Sequence, residues 1–292
     1  MSNVSSLPNP ASVEEHVPED RPWTYKMRSI RALFRNRMLM VGTAMVSILF
    51  LLAILAPVVA PYDPYKIGVG ESMAAPSADH LMGTDKLGRD LFSRIIFGSR
   101  TTLLVAIPSI ALALVLGLGL GLTSGYMGGR TDQVIMRILD IFMAFPGLLL
   151  AIAIVAILGP SIRNLLITIG LLYTPSLARV VRAPVLSVKE QEFVEAARLC
   201  GANGQRIVRR HILPNVTSPV IVLVTLAVAQ AILTEAALSY LGLGAPPPSP
   251  SWGEMLSTSR WFLTSAPWYA IFPGLAIVFA ASAFIIMGNG LR

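Results

Sequence analysis

Glu195-Ala196-Ala197-Arg198-Leu199-Cys200-Gly201, closed by Leu213-Pro214-Asn215, forms a polar and basic island between two long apolar stretches of a 292-residue chain. Its local signals describe two short helices meeting at a glycine corner. Ser187 stands three residues before Glu190, the spacing of a capping box, so the first helix is predicted to start there. Gly201 can take the left-handed conformation that ends a helix. Asn203 then suits the cap of a second helix, predicted to run to the barrier set by Pro214. The product is a compact elbow, residues 184–215.

The apolar stretches on either side place the chain in lipid. Hydrophobic residues make up 54% of it and charged residues only 13%, and the mean hydropathy is +0.67, far from soluble averages. A helix crossing the hydrocarbon layer needs about 20 apolar residues. Six segments qualify: 38–60, 102–122, 137–158, 164–181, 220–241 and 267–287. Pro146 and Pro175 interrupt the third and fourth, and Asp140 and Arg179 put charge near their ends; neighbouring helices can satisfy the carbonyls that such prolines free. The organisation read from this is a 1–37 arm, a 38–60 first span, a 61–101 loop and a 102–292 core of five spans. The first span begins too late and runs too long for a signal peptide, so it reads as an uncleaved anchor. Residues 1–20 are polar and without periodicity, which predicts disorder.

Orientation follows the cations of short loops. The arm carries Arg21, Lys26, Arg28, Arg31, Arg35 and Arg37, and the loop after the fourth span carries Arg182, Lys189, Arg198, Arg206, Arg209 and Arg210. Both are predicted to be cytoplasmic. The loop before the second span, with Lys66, Lys86, Arg89, Arg94 and Arg100, runs against that count. The formal charge of +7 is thus explained by topology, and no nucleic acid is needed as a partner. The single Cys200 excludes an internal disulfide and a cysteine metal site, and reads as a packing residue.

The elbow resembles the cytoplasmic coupling loop of bacterial ABC importer permeases, with the signature Glu-Ala-Ala, three residues, Gly, nine residues, Ile, one residue, Leu-Pro. Glu195, Ala196, Ala197, Gly201, Leu213 and Pro214 match it, while His211 stands in the Ile position. Gly83-Thr84-Asp85-Lys86-Leu87-Gly88-Arg89-Asp90 is similar to the pattern preceding the second span in the dipeptide, oligopeptide and nickel branch. After it, Leu91, Ile95 and Gly98 lie a helical turn apart, which predicts a helix on the outer surface. The family continues past a closing Gly-Asp-Gly-Leu-Arg, where this chain has Gly288-Asn289-Gly290-Leu291-Arg292.

The resemblance implies an all-α membrane protein of six transmembrane helices with a cytoplasmic two-helix coupling loop, the type I ABC importer permease fold, in the inner membrane with a cytoplasmic N-terminus. It implies a second permease subunit, two ATPase subunits that use ATP and Mg, and a periplasmic or lipid-anchored substrate-binding protein. This chain binds no cofactor itself in that reading, since no Lys and Ser or Thr follow its glycines as a phosphate loop requires. Glu195 would fix the first elbow helix by charged hydrogen bonds, Gly201 would set the corner, Ala196 and Ala197 would allow close approach, and Arg206 and Arg209 would pair with acidic ATPase residues. The cargo implied is a di- or oligopeptide, with nickel or another small solute as the alternative.

Other residues leave choices open. Glu235 lies about 22 Å along its span from the elbow side, and faces either a translocation path or a neighbouring helix. Asp140 has the same two readings. A proton-coupled secondary transporter using both carboxylates is the competing function, but it leaves the elbow unexplained. A membrane-tethered DNA-binding protein fails because both elbow ends enter the membrane within a few residues. The Pro246-Pro247-Pro248 run predicts extended polyproline structure, and Trp252, Trp261 and Trp268 suit a headgroup boundary. Gly117, Gly119 and Gly121 offer a small-residue helix face.

Overall fold

The computed structural model describes residues 36–292. The expected disorder of residues 1–20 and the arm cations before Arg37 lie outside the described residues. Among the described residues there is no β-strand, only an isolated bridge between Thr84 and Asp90. Helices α1 (Arg37–Ile54) and α2 (Ala56–Val59) make up the first span, broken where Pro57 enters the first turn of α2. Then follow α3 (Leu91–Met127), α4 (Gly129–Ala144), α5 (Gly147–Leu158) and α6 (Ile162–Val188). The elbow contributes α7 (Glu192–Leu199) and α8 (Gly204–Ile207). The chain closes with α9 (Leu213–Tyr240), α10 (Trp252–Ser259) and α11 (Trp268–Leu291).

Among the described residues, five helices are long and apolar enough to cross a membrane, six if α4 and α5 count as one span. That pair bends by 90° at Phe145-Pro146. Phe145 is held extended, at φ −89° and ψ 140°, as the residue before a proline prefers. The third span is therefore a corner rather than the continuous 137–158 helix that its composition predicts.

The second span also differs from expectation. No separate surface helix follows Asp90; residues 91–101 are the opening turns of α3. Asp90 caps it by accepting a 2.8 Å bond from the Ser93 amide, and Leu91, Ile95 and Gly98 are buried. Gly98 admits the indole of Trp252, because a Cβ there would lie 2.7 Å from Trp252 Nε1. Trp252, buried and donating to the Ile95 carbonyl at 2.9 Å, is a packing residue and not a headgroup anchor. Trp261 stays exposed and Trp268 half-buried. The proline run folds as a turn, with the Ser249 amide donating to Pro246 O at 3.3 Å, in place of the extended structure expected.

Close helix approach holds the bundle together. A Cβ on Gly117 would lie 2.7 Å from Leu177 Cβ, one on Gly121 2.6 Å from the Ala178 carbonyl, and one on Gly125 2.7 Å from Val185 Cγ1. These three glycines, four residues apart, let α3 lie against α6 almost backbone to backbone, where dispersion and not water exclusion drives helix association in lipid. Gly119, off that line, faces open space. On the other side, Gly42 of α1 meets the backbone of Ile286 and Met287 in α11. Between these contacts, Val105, Ile110, Ile169, Ala231, Ile232 and Phe284 form the central core.

Candidate functional site

The elbow departs from its predicted start. Ser187 lies inside α6, which runs on to Val188, and α7 begins at Glu192 with no side-chain cap on Gln191. The capping-box reading of Ser187 and Glu190 is thereby corrected: α6 keeps satisfying backbone groups through 187, with the Lys189 amide reaching Val185 O at 3.0 Å. The corner itself is a Schellman motif. Gly201 has φ +79°, its amide donates to Arg198 O at 2.9 Å, and the Ala202 amide donates to Ala197 O at 3.0 Å. This gives the spacing from Ala197 to Gly201 a physical meaning. Ala197 supplies the carbonyl and the small apolar side chain, and Gly201 supplies the left-handed residue.

Asn203 caps α8, its side chain accepting from the Arg206 amide at 2.9 Å. Pro214 is not the barrier expected. A π-helical turn, Val208–Ile212, carries the chain directly into α9, with the Leu213 amide bonded to Val208 O. Pro214 then sits in the first turn of α9, where a missing N–H is tolerated. Asn215 Nδ2 donates to the His211 carbonyl at 2.6 Å. His211 is half-buried, its ring 6.3 Å from that of Phe193.

Val194 and Ile207, both fully buried, seat the elbow on Val181, Val185, Ile212 and Val216. Its other face is open. Glu195, Ala196, Arg206, Arg209 and Pro214 are exposed, and Ala197 and Leu213 are half-buried. The Glu195 carboxylate has no hydrogen bond among the described residues, so it does not brace α7 within this chain. Lys189, Glu190, Glu195, Arg198 and Leu199 line an open groove. The sequence reading missed Leu199 and Phe193, 84% and 45% exposed. Leu199 lies across the wheel from Val194, whereas Phe193 and Ala197 are one turn apart on the same side, so neither exposure could be read before the buried face of α7 was known. Cys200 is exposed, which corrects its reading as a packing residue.

The root of the elbow is tied to the end of α3. Lys189 Nζ donates to Gly125 O at 3.0 Å, and the Arg198 guanidinium stands 5.9 Å above the Tyr126 ring.

At the opposite end of the bundle lies a knot of buried charge. Asp85 accepts from the amides of Leu87 and Arg89 at 2.8 and 3.0 Å and from Arg89 Nε at 2.6 Å. Arg94, 1% exposed, donates to Pro64 O at 3.1 Å and to Glu254 at 3.3 Å. His80 Nδ1 lies 2.9 Å from Asp90.

The two carboxylates assigned to a translocation path are apart. Glu235 is fully buried and accepts from Ser239 at 2.7 Å and from Thr102 and Ser251 at 3.3 Å. Of its two readings, the geometry favours contact with neighbouring elements of its own chain. Asp140 is exposed and takes a 2.5 Å bond from Arg179. Among the described residues no hydrogen bond links these two clusters, and no group of three His, Cys, Asp or Glu residues is placed to hold a metal.

Residues 117–292 match the family described as binding-protein-dependent transport system inner membrane component, and residues 24–76 match the N-terminal TM domain of oligopeptide transport permease C. A dipeptide transport system permease protein of Alkalihalophilus pseudofirmus is 43% identical over 285 residues, covering 98% of this chain and 93% of the relative. A glutathione transport system permease protein of Escherichia coli is 42% identical over 272 residues, covering 93% and 89%. A putative peptide transport system permease protein of Brucella abortus is 41% identical over 262 residues, covering 90% and 88%. Among solved structures, an inward-facing MetNI methionine ABC transporter chain aligns with TM-score 0.56 and 18% identity over 68% of this chain and 93% of that one. That last likeness is one of fold.

Proposed function

The chain belongs to the inner membrane components of binding-protein-dependent transport systems, and on that premise we propose that it forms half of a peptide translocation path and takes its drive from a separate ATPase through the elbow. One observation carries the reading: a corner held by the Gly201 Schellman motif and a buried Val194 presents an open face of Glu195, Arg198 and Leu199. A rigid helix seated on the bundle, with unspent charge and exposed apolar surface, is built to be gripped. ATP-driven closure of the gripping subunits then becomes rigid-body motion of the helices, as alternating access requires. In this reading the elbow and N-terminus are cytoplasmic, the knot faces outward, a second permease chain completes the path and a binding protein delivers the cargo. Arg206 and Arg209, exposed on α8 and the π turn, suit acidic residues of the ATPase. The names of the relatives at 41–43% identity favour di- and oligopeptides over nickel as cargo.

The proton-relay alternative gains nothing from Glu235, whose carboxylate is enclosed by three hydroxyls of its own chain.

Uptake of labelled di- and oligopeptides and of radioactive nickel, in cells lacking this chain and complemented with wild type or Gly201→Val, tests the proposal. Wild type restores peptide uptake; Gly201→Val inserts in the membrane and does not. Peptide transport by the Gly201→Val variant at the wild-type rate removes the elbow from the mechanism, and rescue of nickel alone replaces the cargo.

A further inference from the structure

Helix α4 is poorly anchored by packing. Leu139 is its only buried residue, and Val134, Ile138, Ile141 and Phe145 stand exposed along one side of the α4–α5 corner. What fastens it to the bundle is charge. Arg182 of α6 makes a two-pronged bond to Asp132, Nε to Oδ1 at 2.6 Å and Nη2 to Oδ2 at 2.5 Å, and the Ser124 hydroxyl also donates to Asp132. Arg179, one turn back along α6, bonds Asp140, two turns further along α4, at 2.5 Å. The order is antiparallel, as it must be when α6 ends and α4 begins on the same side. The planar Arg182 fork on Asp132 is directional as well as strong, and the single, half-exposed Arg179–Asp140 bond is a weaker second rung between the helices.

The lower rung lies close to the elbow. Arg182 precedes the end of α6 by less than two turns, and Lys189 at that end bonds the Gly125 carbonyl, just before the α3–α4 junction. The upper rung lies toward the Phe145-Pro146 corner. There a cavity of about 300 Å³, lined by Phe145, Leu148, Leu172, Tyr173 and Thr234, includes a hydroxyl pair between Tyr173 and Thr234 at 2.9 Å. Asp140 and Arg179 are each about half exposed, at 50% and 43%. Charge at that depth in a span turns toward protein or water and not toward acyl chains.

We propose that Arg179 and Arg182 are positioning residues that transmit displacement of the elbow to α4, so that the corner at Phe145-Pro146 and the cavity beneath it move with the ATPase cycle. Because α4 has little buried apolar surface of its own, it follows α6 only while the rungs hold. The inference rests on the proposed grip of an ATPase on the elbow.

The experiment uses the assembled complex, both permease chains with ATPase and binding protein, in lipid nanodiscs. Spin labels are attached through Lys86→Cys in the knot and Phe145→Cys at the corner, in a Cys200→Ser background, and their separation is measured with and without ATP. Wild type shows an ATP-dependent shift. Asp132→Asn loses it while ATPase stays bound and hydrolysis continues, and peptide carried per ATP falls about tenfold, the scale of one charged hydrogen-bond pair. Asp140→Asn, at the exposed rung, loses part of the shift. The exchange Asp132→Arg with Arg182→Asp restores most of what Asp132→Asn removes. A full shift in Asp132→Asn overturns the proposal, as does parallel loss of ATPase binding and shift in both Asn variants, which marks the rungs as assembly contacts. A wild-type complex that binds ATPase and shows no shift overturns the linkage alone. Failure of the wild-type chain to bind any ATPase overturns the proposed function, and the linkage with it.

Discussion

The knot around Asp85 and the elbow around Glu195 are both charge-rich motifs flanking apolar spans, and the structure treats their charges in opposite ways. In the knot, Asp85, Arg89, Asp90 and Arg94 are buried and bonded to one another, to backbone carbonyls and amides, or to Glu254. In the elbow, Lys189, Asn203 and Asn215 bond backbone groups of their own chain, while Glu195, Arg206 and Arg209 are exposed. Burial of charges beside opposite charges marks a motif that shapes its own chain, because a charge removed from water needs a partner. A motif whose charges stay outward on a rigid seat has its partner elsewhere. The same density of charged letters in the sequence thus has two meanings, and burial separates them.

Breaking the knot has the largest expected effect. Arg94→Ala leaves Asp85 and Glu254 short of a cation and empties the space of a fully buried side chain, a loss of about 3–5 kcal/mol by analogy with broken buried pairs. The variant is expected to melt well below wild type in detergent and to accumulate poorly in membranes. An unchanged melting temperature sinks the idea that the knot is structural.

Gly201→Val separates the two regions. A β-branched residue at φ +79° strains the corner by about 1–2 kcal/mol, but the spans and the knot have no stake in that angle. Expected are a small drop in melting temperature, normal insertion, and loss of ATPase association measured by co-purification. A loss of insertion comparable to that of Arg94→Ala dissolves the contrast.

Much of this contrast was legible in the letters, for local reasons. The six apolar segments, the left-handed Gly201, the Asn203 cap and the Gly117–Gly121 face all depend on neighbours within a few residues or on composition. What was not legible depends on distant partners. The segment after Asp90 reads as a surface helix because Leu91, Ile95 and Gly98 form one stripe with Arg94 off it, and the carboxylate partner of Arg94, Glu254, is 160 residues away in sequence. Trp252 reads as a headgroup anchor until Gly98 and the Ile95 carbonyl receive its indole. Ser187 fails as a cap because α6 continues past it, an outcome set by packing of Val181 and Val185 on α3 and α9 and not by the box spacing. In the candidate site, the Schellman corner could be read in advance, and the open face could not, since exposure of Leu199 and Phe193 depends on which side of α7 the bundle takes.

The smallest expected effect on this chain, Glu195→Gln, sharpens the comparison most. Exposed and without an internal hydrogen bond among the described residues, the carboxylate contributes to stability only through its place near the N-terminus of α7, worth a few tenths of a kcal/mol. The melting temperature is therefore expected to stay within about 1–2 °C of wild type. Its neighbours in the groove are Lys189 and Arg198, so neutralising it leaves the cations of that surface in excess. If a basic ATPase residue seats there, association weakens about threefold to tenfold, and the loss shrinks as salt rises, since exposed charge pairs are screened. Titration of purified ATPase against nanodisc-held permease at two salt concentrations measures both. Equal affinity of variant and wild type at low salt would place Glu195 outside the docking contact and shift the grip to Leu199 and Phe193, where the apolar exposure lies.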